Sequence, residues 1–437
     1  MSQEMHRRDF LKRTALLATA AGITRLGAAE ETPTVPKSAT DKLNVGFIGA
    51  GGKAEGNLAG IGATGSNIVA LCDIDSVRLA KSAANHKGAQ TYTDFRKLLE
   101  QKDIDAIIVT TPDHTHAIAA MSAMKMGKHV YVEKPMCKDI FETRTLTEAA
   151  RKFKLVTQMG NHGTASEYIR RQAEWVHSGA IGTVKEIHCW SDRPGNSWPQ
   201  GMNRPVETPP VPANVAWDLW LGTAPERPYN PAYHPFKWRG FWDFGTGALG
   251  DMGCHIINYP FFTFRLPAPS SVECVGSEGL TAECPPKWSI IKYEFPASGD
   301  RPSTTLTWYD GGKKPELPKG IKKLTANGTI YVGDKGVICA PYDQPAELAG
   351  EPDNRGPKPS LPRSPGHYKE FVAACKGGSA PGANFDYAGP LTELVLMGNV
   401  AVRAGKKLEW DSANLKFTNA PEANQYLRRE YRAGWAL

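Results

Sequence analysis

A chain of 437 residues with 41% hydrophobic content exceeds what one hydrophobic core organises, so two domains with appendages are expected. The formal charge of +7 comes from 52 Lys and Arg scattered among 45 Asp and Glu, without a basic stripe or an RNP-like motif, which argues against a nucleic-acid partner. No segment approaches the roughly 18 apolar residues needed to cross a bilayer, so stable membrane insertion is not expected.

The amino terminus reads differently from the rest. Arg7-Arg8-Asp9-Phe10-Leu11-Lys12 precedes a weakly apolar run from Thr14 to Ile23 and then Gly27-Ala28-Ala29. This resembles a twin-arginine export signal over residues 1–30, and the resemblance implies a periplasmic or other extracytoplasmic location for a protein that folds and loads its cofactor first. Residues 31–40, rich in Pro, Thr and Ser and without periodicity, read as a linker.

From Asp41 apolar runs alternate with helix-like stretches. Strands are expected at Leu43–Ile48, Asn67–Cys72, Ala106–Thr110, His129–Glu133 and Leu155–Met159. Helices are expected between them at Glu55–Ile61, Ser76–Ala84, Asp94–Glu100, His116–Met126 and Ile140–Lys152. That alternation predicts a parallel, doubly wound sheet of Rossmann type over residues 41–159, covered by helices on both faces.

Beyond Gly160 the texture changes. A helix is expected over Ala165–His177, followed by strands at Val184–Trp190, Ser271–Ser277, Ser289–Phe295, Ser303–Tyr309, Thr329–Gly333 and Gly336–Ala340. Late helices are expected at His367–Cys375 and Pro390–Gly405, the second packing back toward the first domain. Residues 160–437 thus read as an α+β domain with an open, largely antiparallel sheet. Between Asp192 and Gly245 lies a Pro, Gly and Trp-rich stretch with little periodicity, a length of loop that usually carries function. The eight Cys show no C-x-x-C and several sit in apolar runs, which suits buried thiols; Cys274 and Cys284 are the one pair considered for a disulfide.

The first strand runs straight into Gly49-Ala50-Gly51-Gly52-Lys53-Ala54, a G-x-G-x-x-A turn. The first Gly permits the tight turn, the second lets the backbone approach a pyrophosphate, and the small Ala54 lets the helix pack close to the sheet. The helix N-terminus offers free N–H groups to the anion. Asp73, at the end of the second strand, can accept both adenosine ribose hydroxyls and would repel a 2′-phosphate, which favours NAD over NADP. Asp75 is better placed to cap the helix from Ser76. The fourth strand ends in Thr110-Thr111-Pro112-Asp113-His114-Thr115-His116, and a loop there should lie beside the dinucleotide, bringing Thr110, Thr111, Pro112, His114 and His116 to it. Asp113, His114 and His116 have the composition of a metal cluster, but no further ligands fall at a characteristic spacing, so no metal is expected.

The fifth strand leads into Glu133-Lys134-Pro135 at the mouth of the sheet, where Glu133 and Lys134 face the cofactor and Lys134 can meet substrate. Much later Asp251 and His255 stand four apart after a glycine-rich turn, so in a helix both point the same way. In isolation Lys134 would be a solvated surface lysine and His255 a core histidine. In this order, G-x-G-x-x-A, T-P-D-H-x-H, E-K-P and D-x-x-x-H resemble the Gfo/Idh/MocA family, which includes glucose–fructose oxidoreductases and inositol dehydrogenases. The resemblance implies a Rossmann domain, an α+β domain whose open sheet mediates homo-oligomerisation to a dimer or tetramer, and catalytic roles for Lys134, Asp251 and His255. His255 would be the general base, Lys134 would hold the reacting oxygen, and Asp251 would orient Lys134 or a neighbouring hydroxyl.

The expected substrate is a sugar, glycoside or cyclitol that gives hydride from a secondary alcohol to a tightly held NAD(P). Asn161, His162, Arg193, His234 and Trp242 are the substrate-binding candidates, with one or two of the loop's aromatic residues stacking on the sugar. Export favours a closed redox cycle, since little free NAD exists outside the cytoplasm. One alternative is a glycoside hydrolase that oxidises transiently and eliminates; another is a non-catalytic sugar-binding or sensing protein.

Overall fold

In the computed structural model, which describes residues 41–299 and 301–437, the alternating stretches after Asp41 fold into a six-stranded parallel sheet. The expected export signal and linker, residues 1–40, lie outside the described residues. Strands β1 (Asn44–Ile48), β2 (Asn67–Cys72), β3 (Gln90–Tyr92), β4 (Ala106–Val109), β5 (His129–Val132) and β6 (Thr157–Met159) pair in the order β3-β2-β1-β4-β5-β6. Helices α1 (Lys53–Gly62), α2 (Ser76–Asn85), α3 (Phe95–Leu99), α4 (His116–Lys125) and α5 (Ile140–Phe153) connect them. Because helices cover both faces, β1 and β4 are buried nearly throughout and their sequences are continuous apolar runs. The strand order reverses between β1 and β4, and a crevice opens there beyond the carboxyl ends. Strand β3 is absent from the sequence reading, since three residues at a sheet edge show no period.

Past β6 come α6 (Glu167–His177), capped by Ser166, then β7 (Val184–Trp190), α7 (Trp217–Leu221), α8 (Gly247–Ile256) and α9 (Asn258–Phe264). They are followed by β8 (Ser271–Glu278), β9 (Trp288–Phe295), β10 (Thr304–Tyr309), β11 (Gly328–Gly333), β12 (Val337–Pro341) and β13 (Glu347–Leu348). Last come α10 (His367–Cys375), α11 (Phe385–Ala404), β14 (Leu408–Asp411) and β15 (Lys416–Phe417). The second sheet has the order β13-β12-β11-β7-β10-β9-β8-β14-β15, antiparallel except where β7 meets β10. Along β9 and β10 burial alternates residue by residue: Ile291, Tyr293, Leu306 and Trp308 point into the core, while Ile290, Lys292, Thr305 and Thr307 share a half-buried outer face.

The sequence reading starts the last helix at Pro390, but the chain starts it at Phe385, where Asn384 accepts the Tyr387 N–H at 3.2 Å as an N-cap. Pro390 then removes only one early intrahelical bond. Leu391, Leu394, Val395, Val400 and Ala401 of α11 are buried against α5, α8 and β8, and one continuous core includes both sheets. Each of these Leu and Val side chains contributes roughly 1.5–3 kcal/mol by leaving water. The change of texture near Gly160 is therefore a change of sheet, and the packing runs across it.

All eight cysteines are unpaired, Cys274 and Cys284 included, and all but the half-buried Cys274 are buried. Among the described residues no helix is long and apolar enough to cross a membrane.

Candidate active site

The crevice holds a cavity of about 670 Å³ whose walls come from the ends of β1, β2, β4 and β5, from α8 and from the long loop. Gly49, at φ +90°, makes the first bend; a Cβ there would stand 2.7 Å from Thr110 Oγ1, whose hydroxyl donates to the Gly49 carbonyl at 2.6 Å. Helix α1 starts at Lys53, with Gly52 as an N-cap that makes no side-chain hydrogen bond, and Gly51, Gly52 and Lys53 line the cavity at this N-terminus. These features fit a pyrophosphate. Replacing Gly49 by alanine is expected to cost roughly 1–3 kcal/mol of stability through backbone strain and to weaken NADH binding, read by thermal melting and fluorescence titration. Wild-type values for both would show that the turn tolerates a side chain.

Asp73 lines the cavity and is fixed by three backbone amides: Ala50 N and Gly51 N donate to Oδ2 at 2.9 and 3.1 Å, and Asp75 N donates to Oδ1 at 2.9 Å. Burial pushes this carboxyl up, and the amides of Asp75 and Ala50 oppose the shift. Asp75 caps α2, accepting from Val77 N at 3.0 Å and Arg78 N at 3.3 Å. Arg78, on the first turn of α2, lies against Gly51 and also lines the cavity, a contact the sequence reading did not anticipate.

In the loop after β4, Thr110, Thr111, Pro112, Asp113 and Thr115 face the cavity. The two histidines assigned to the cofactor do not. His114 is turned into the protein, donating through Nε2 to the Trp220 carbonyl at 2.8 Å between the rings of Trp220 and Phe244, and burial pushes it down to about 3. His116 is buried with Nδ1 2.8 Å from the Pro135 carbonyl and Nε2 2.8 Å from the Thr111 carbonyl, tying this loop to the segment after β5. Both shape the crevice wall from behind. Ala54 likewise lies off the cavity, buried between α1 and the sheet. Among the described residues no group of three or more His, Cys, Asp or Glu could hold a metal ion.

The segment after β5 supplies Glu133 and Lys134. Glu133 accepts from Asn57 Nδ2 at 2.8 Å and lies 3.6 Å from Lys53 Nζ. Lys134 Nζ donates to Asp251 Oδ1 at 2.9 Å and to the Asp251 carbonyl at 3.0 Å. An ammonium has three N–H donors, so one is left for a ligand. Arg239 Nε donates to the same Asp251 oxygen at 3.0 Å, its guanidinium lying over Trp238 at 4.2 Å and Phe236 at 4.5 Å. Burial by itself would raise the Asp251 carboxyl, but the Lys134 and Arg239 cations outweigh it and hold the group well below the usual carboxylate range. Two cations on one carboxylate leave this triad with a net positive charge.

His255 follows Asp251 by one turn of α8, as the spacing predicts, and lines the same cavity. Burial and the nearby Lys134 cation push it down to about 3, so it is neutral at pH 7. Its Nδ1 is buried with no hydrogen-bond partner among the described residues, which leaves Nε2 as the nitrogen for a substrate. Asp113 lies close by and accepts from Thr246 Oγ1 at 2.8 Å; burial pushes its carboxyl up.

Of the five substrate-binding candidates, two line the cavity. His162 does so with Nε2 3.3 Å from Lys53 Nζ, stacked on His367 at 4.4 Å. His234 also lines it, but beside Arg78 and Asp75, nearer the ribose end than Asp251; burial, then Arg78, push it down to about 4. The other three are held elsewhere. Asn161 is buried and donates to the Cys254 carbonyl at 2.5 Å. Arg193 pairs with Asp192 at 2.8 Å beyond the end of β7. Trp242 is buried 5.4 Å from the Arg403 guanidinium. Of the loop aromatics, Trp220, Phe236 and Trp238 reach the cavity wall.

Residues 43–161 match the model of an oxidoreductase family's NAD-binding Rossmann fold, and residues 167–295 match that of the same family's C-terminal alpha/beta domain. The chain is 33% identical over 150 residues to inositol 2-dehydrogenase 3 of Saccharopolyspora erythraea, covering 34% of this chain and 44% of that protein. It is 30% identical over 230 residues to glycosyl hydrolase family 109 protein 2 of Shewanella sp. strain ANA-3, covering 44% and 49%. The match thus spans about half the length of these curated relatives. Among solved structures, the WlbA dehydrogenase from Bordetella pertussis, in complex with NADH and UDP-GlcNAcA, superposes with a TM-score of 0.62 at 15% identity over 86% of this chain and 99% of that one, a likeness of fold.

Proposed function

Because the chain belongs to the Gfo/Idh/MocA family of NAD-binding oxidoreductases, we propose that it oxidises and re-reduces a secondary alcohol of a sugar, glycoside or cyclitol at the Lys134, Asp251 and His255 end of its cavity. The observation that carries the reading is the pairing of a lysine that keeps one N–H unspent with a neutral histidine on one cavity wall. When bound, NAD would supply the hydride acceptor, and the Gly49–Gly52 turn would hold its pyrophosphate and Asp73 its ribose.

In oxidation, Lys134 donates its remaining N–H to the reacting hydroxyl oxygen and His255 takes the hydroxyl proton. The excess positive charge shared by Lys134, Arg239 and Asp251 then stabilises the oxygen as negative charge grows on it. In reduction the same groups run backward, with His255 returning the proton. Asp251 acts by holding Lys134 and Arg239 in place, since both of its cationic partners converge on Oδ1. Trp220, Trp238 and Phe236 offer apolar faces of the kind that stack on the C–H surface of a sugar ring.

A second reading has the same oxidation acidify an adjacent C–H, so that its proton and the aglycone leave with formation of a double bond, water adds across that bond, and the ketone is reduced again. The likeness to the family 109 glycosyl hydrolase favours keeping it. A non-catalytic sugar-binding role is less well supported, because it has no use for the ion triad or for a proton-accepting His255. Export by Arg7-Arg8 belongs to the proposal, and so does a cofactor held through a closed cycle. The half-buried outer face of the second sheet is proposed as the homo-oligomer contact.

The test is absorbance near 340 nm of the purified full chain while sugars and glycosides are added without external cofactor. A bound reduced cofactor that bleaches and recovers supports the closed cycle; protein that needs added NAD for each turnover is an ordinary dehydrogenase. Aglycone release without net NADH change selects the hydrolytic reading.

A further inference from the structure

One wall of the cavity comes from a part of the chain that neither the glycine turn nor the catalytic triad uses. Trp435 lines it together with Ile74, Thr93, Asp94, Phe95 and Leu219. Residues 74 and 93–95 follow β2 and β3, beyond Asp73, and so bound the end of the crevice where a ribose-binding carboxylate places the adenosine. The Trp435 ring centre lies 6.0 Å from that of Phe95 at an interplanar angle of 30°, and the Arg96 guanidinium stands 4.9 Å over the indole. Arg96 is itself pinned by Asp94, donating through Nε at 3.0 Å and Nη2 at 2.6 Å.

The segment that delivers this indole is firmly tied upstream. Arg429 Nη2 and Tyr431 Oη both donate to Glu142 Oε1 at 2.6 Å. Arg432 donates to Asp218 Oδ1 at 2.5 Å and to the Gly222 carbonyl at 3.1 Å, while its own N–H reaches the Thr223 carbonyl at 3.1 Å. Gly434, at φ +87°, then turns the chain so that Trp435 N donates back to the Arg432 carbonyl at 3.1 Å. Past Arg432 the indole is held mainly by its ring contacts, stays half-buried and lines the cavity, where a ligand can meet it.

We propose that Trp435 is the aromatic wall of the adenosine subsite and that residues 433–437, beyond the Arg432 anchor, form a strap that slows release of the dinucleotide. The proposal rests on reading the cavity as the NAD site. A flat purine gains from stacking on an indole whatever its hydrogen-bonding pattern, and every dissociation event must then break that stack. A strap tied upstream by ion pairs at 429–432, and held at 435 mainly by ring contacts and one local backbone bond, opens locally, without unfolding the sheet beneath it.

The test compares cofactor-stripped wild-type protein with Trp435→Ala and Trp435→Phe, using NADH and reduced nicotinamide mononucleotide, which lacks the adenosine. Trp435→Ala is expected to weaken NADH binding and speed its dissociation by about tenfold or more. Trp435→Phe should stay within about threefold of wild type, and the mononucleotide should bind all three proteins alike. NADH binding unchanged in Trp435→Ala, or equal losses for both nucleotides, overturns the proposal. Wild-type protein that binds no NADH would instead overturn the reading of the cavity.

Discussion

Replacing Lys134 by alanine is expected to lower turnover by about a hundredfold or more while NADH still binds. Two of the three Nζ donors are spent on Asp251, so the lysine is oriented before substrate arrives and the third N–H has a fixed direction. Removing it takes away both that hydrogen bond and the excess positive charge, leaving Arg239 and Asp251 as a neutral pair. The same pairing keeps the variant folded, because the carboxylate retains the Arg239 partner at 3.0 Å and is not stranded. Steady-state rates against a fluorescence titration of NADH separate the two effects. Full activity in Lys134→Ala removes this residue from the chemistry, and lost NADH binding makes it a cofactor ligand instead.

His255→Ala should cost a similar factor in turnover, and the wild-type pH profile should carry a distinctive signature. The base must be unprotonated to accept the hydroxyl proton. Burial and Lys134 lower its pKa from the ordinary histidine value to about 3, so the proton-accepting form persists as pH falls through the range where exposed histidines charge. The acid limb of kcat/KM for oxidation should therefore be missing between pH 5 and 7, judged against the usual pKa of about 6.5. An acid limb near 6.5 that disappears in His255→Ala would mean that the imidazole titrates as though exposed. Rates unaffected by the substitution would mean that the proton leaves by another route.

The Rossmann half was legible because each strand is a short apolar run and each helix an amphipathic one, patterns imposed by burial on one or both faces. The Gly49 turn was legible for a related reason: only a residue without Cβ fits 2.7 Å from the Thr110 hydroxyl. Strand β3 and the short strands β13 to β15 carry no such mark, since two to four residues cannot display a period. Within the site, sequence position found the loops but not the direction of each side chain. In Thr110–His116 the chain turns through a single 3-10 step, which aims Asp113 at Thr246 and sends His114 toward Trp220. Asn161 and His162 are neighbours, yet one reaches Cys254 and the other the cavity. Arg239 went unseen because its partner, Asp251, lies twelve residues on, across a loop without periodicity. Arg78 and Trp435 reach the dinucleotide crevice only through packing that no local pattern announces.

Helix α11 sets a mechanical condition on all of this. Its buried flank belongs to the core of both sheets, so the segment bearing Lys134 and the helix bearing Asp251 and His255 are parts of one rigid frame. A hinge between them would have to tear apolar side chains such as Leu394 and Val395 from their neighbours, at roughly 2–5 kcal/mol for each contact surface emptied. The reacting groups therefore keep a fixed separation, and substrate binding need not be spent on drawing two halves together. Traffic in and out of the crevice falls to a thin surface piece, the stretch around Trp435 beyond the Arg432 anchor, whose displacement leaves the buried frame in place.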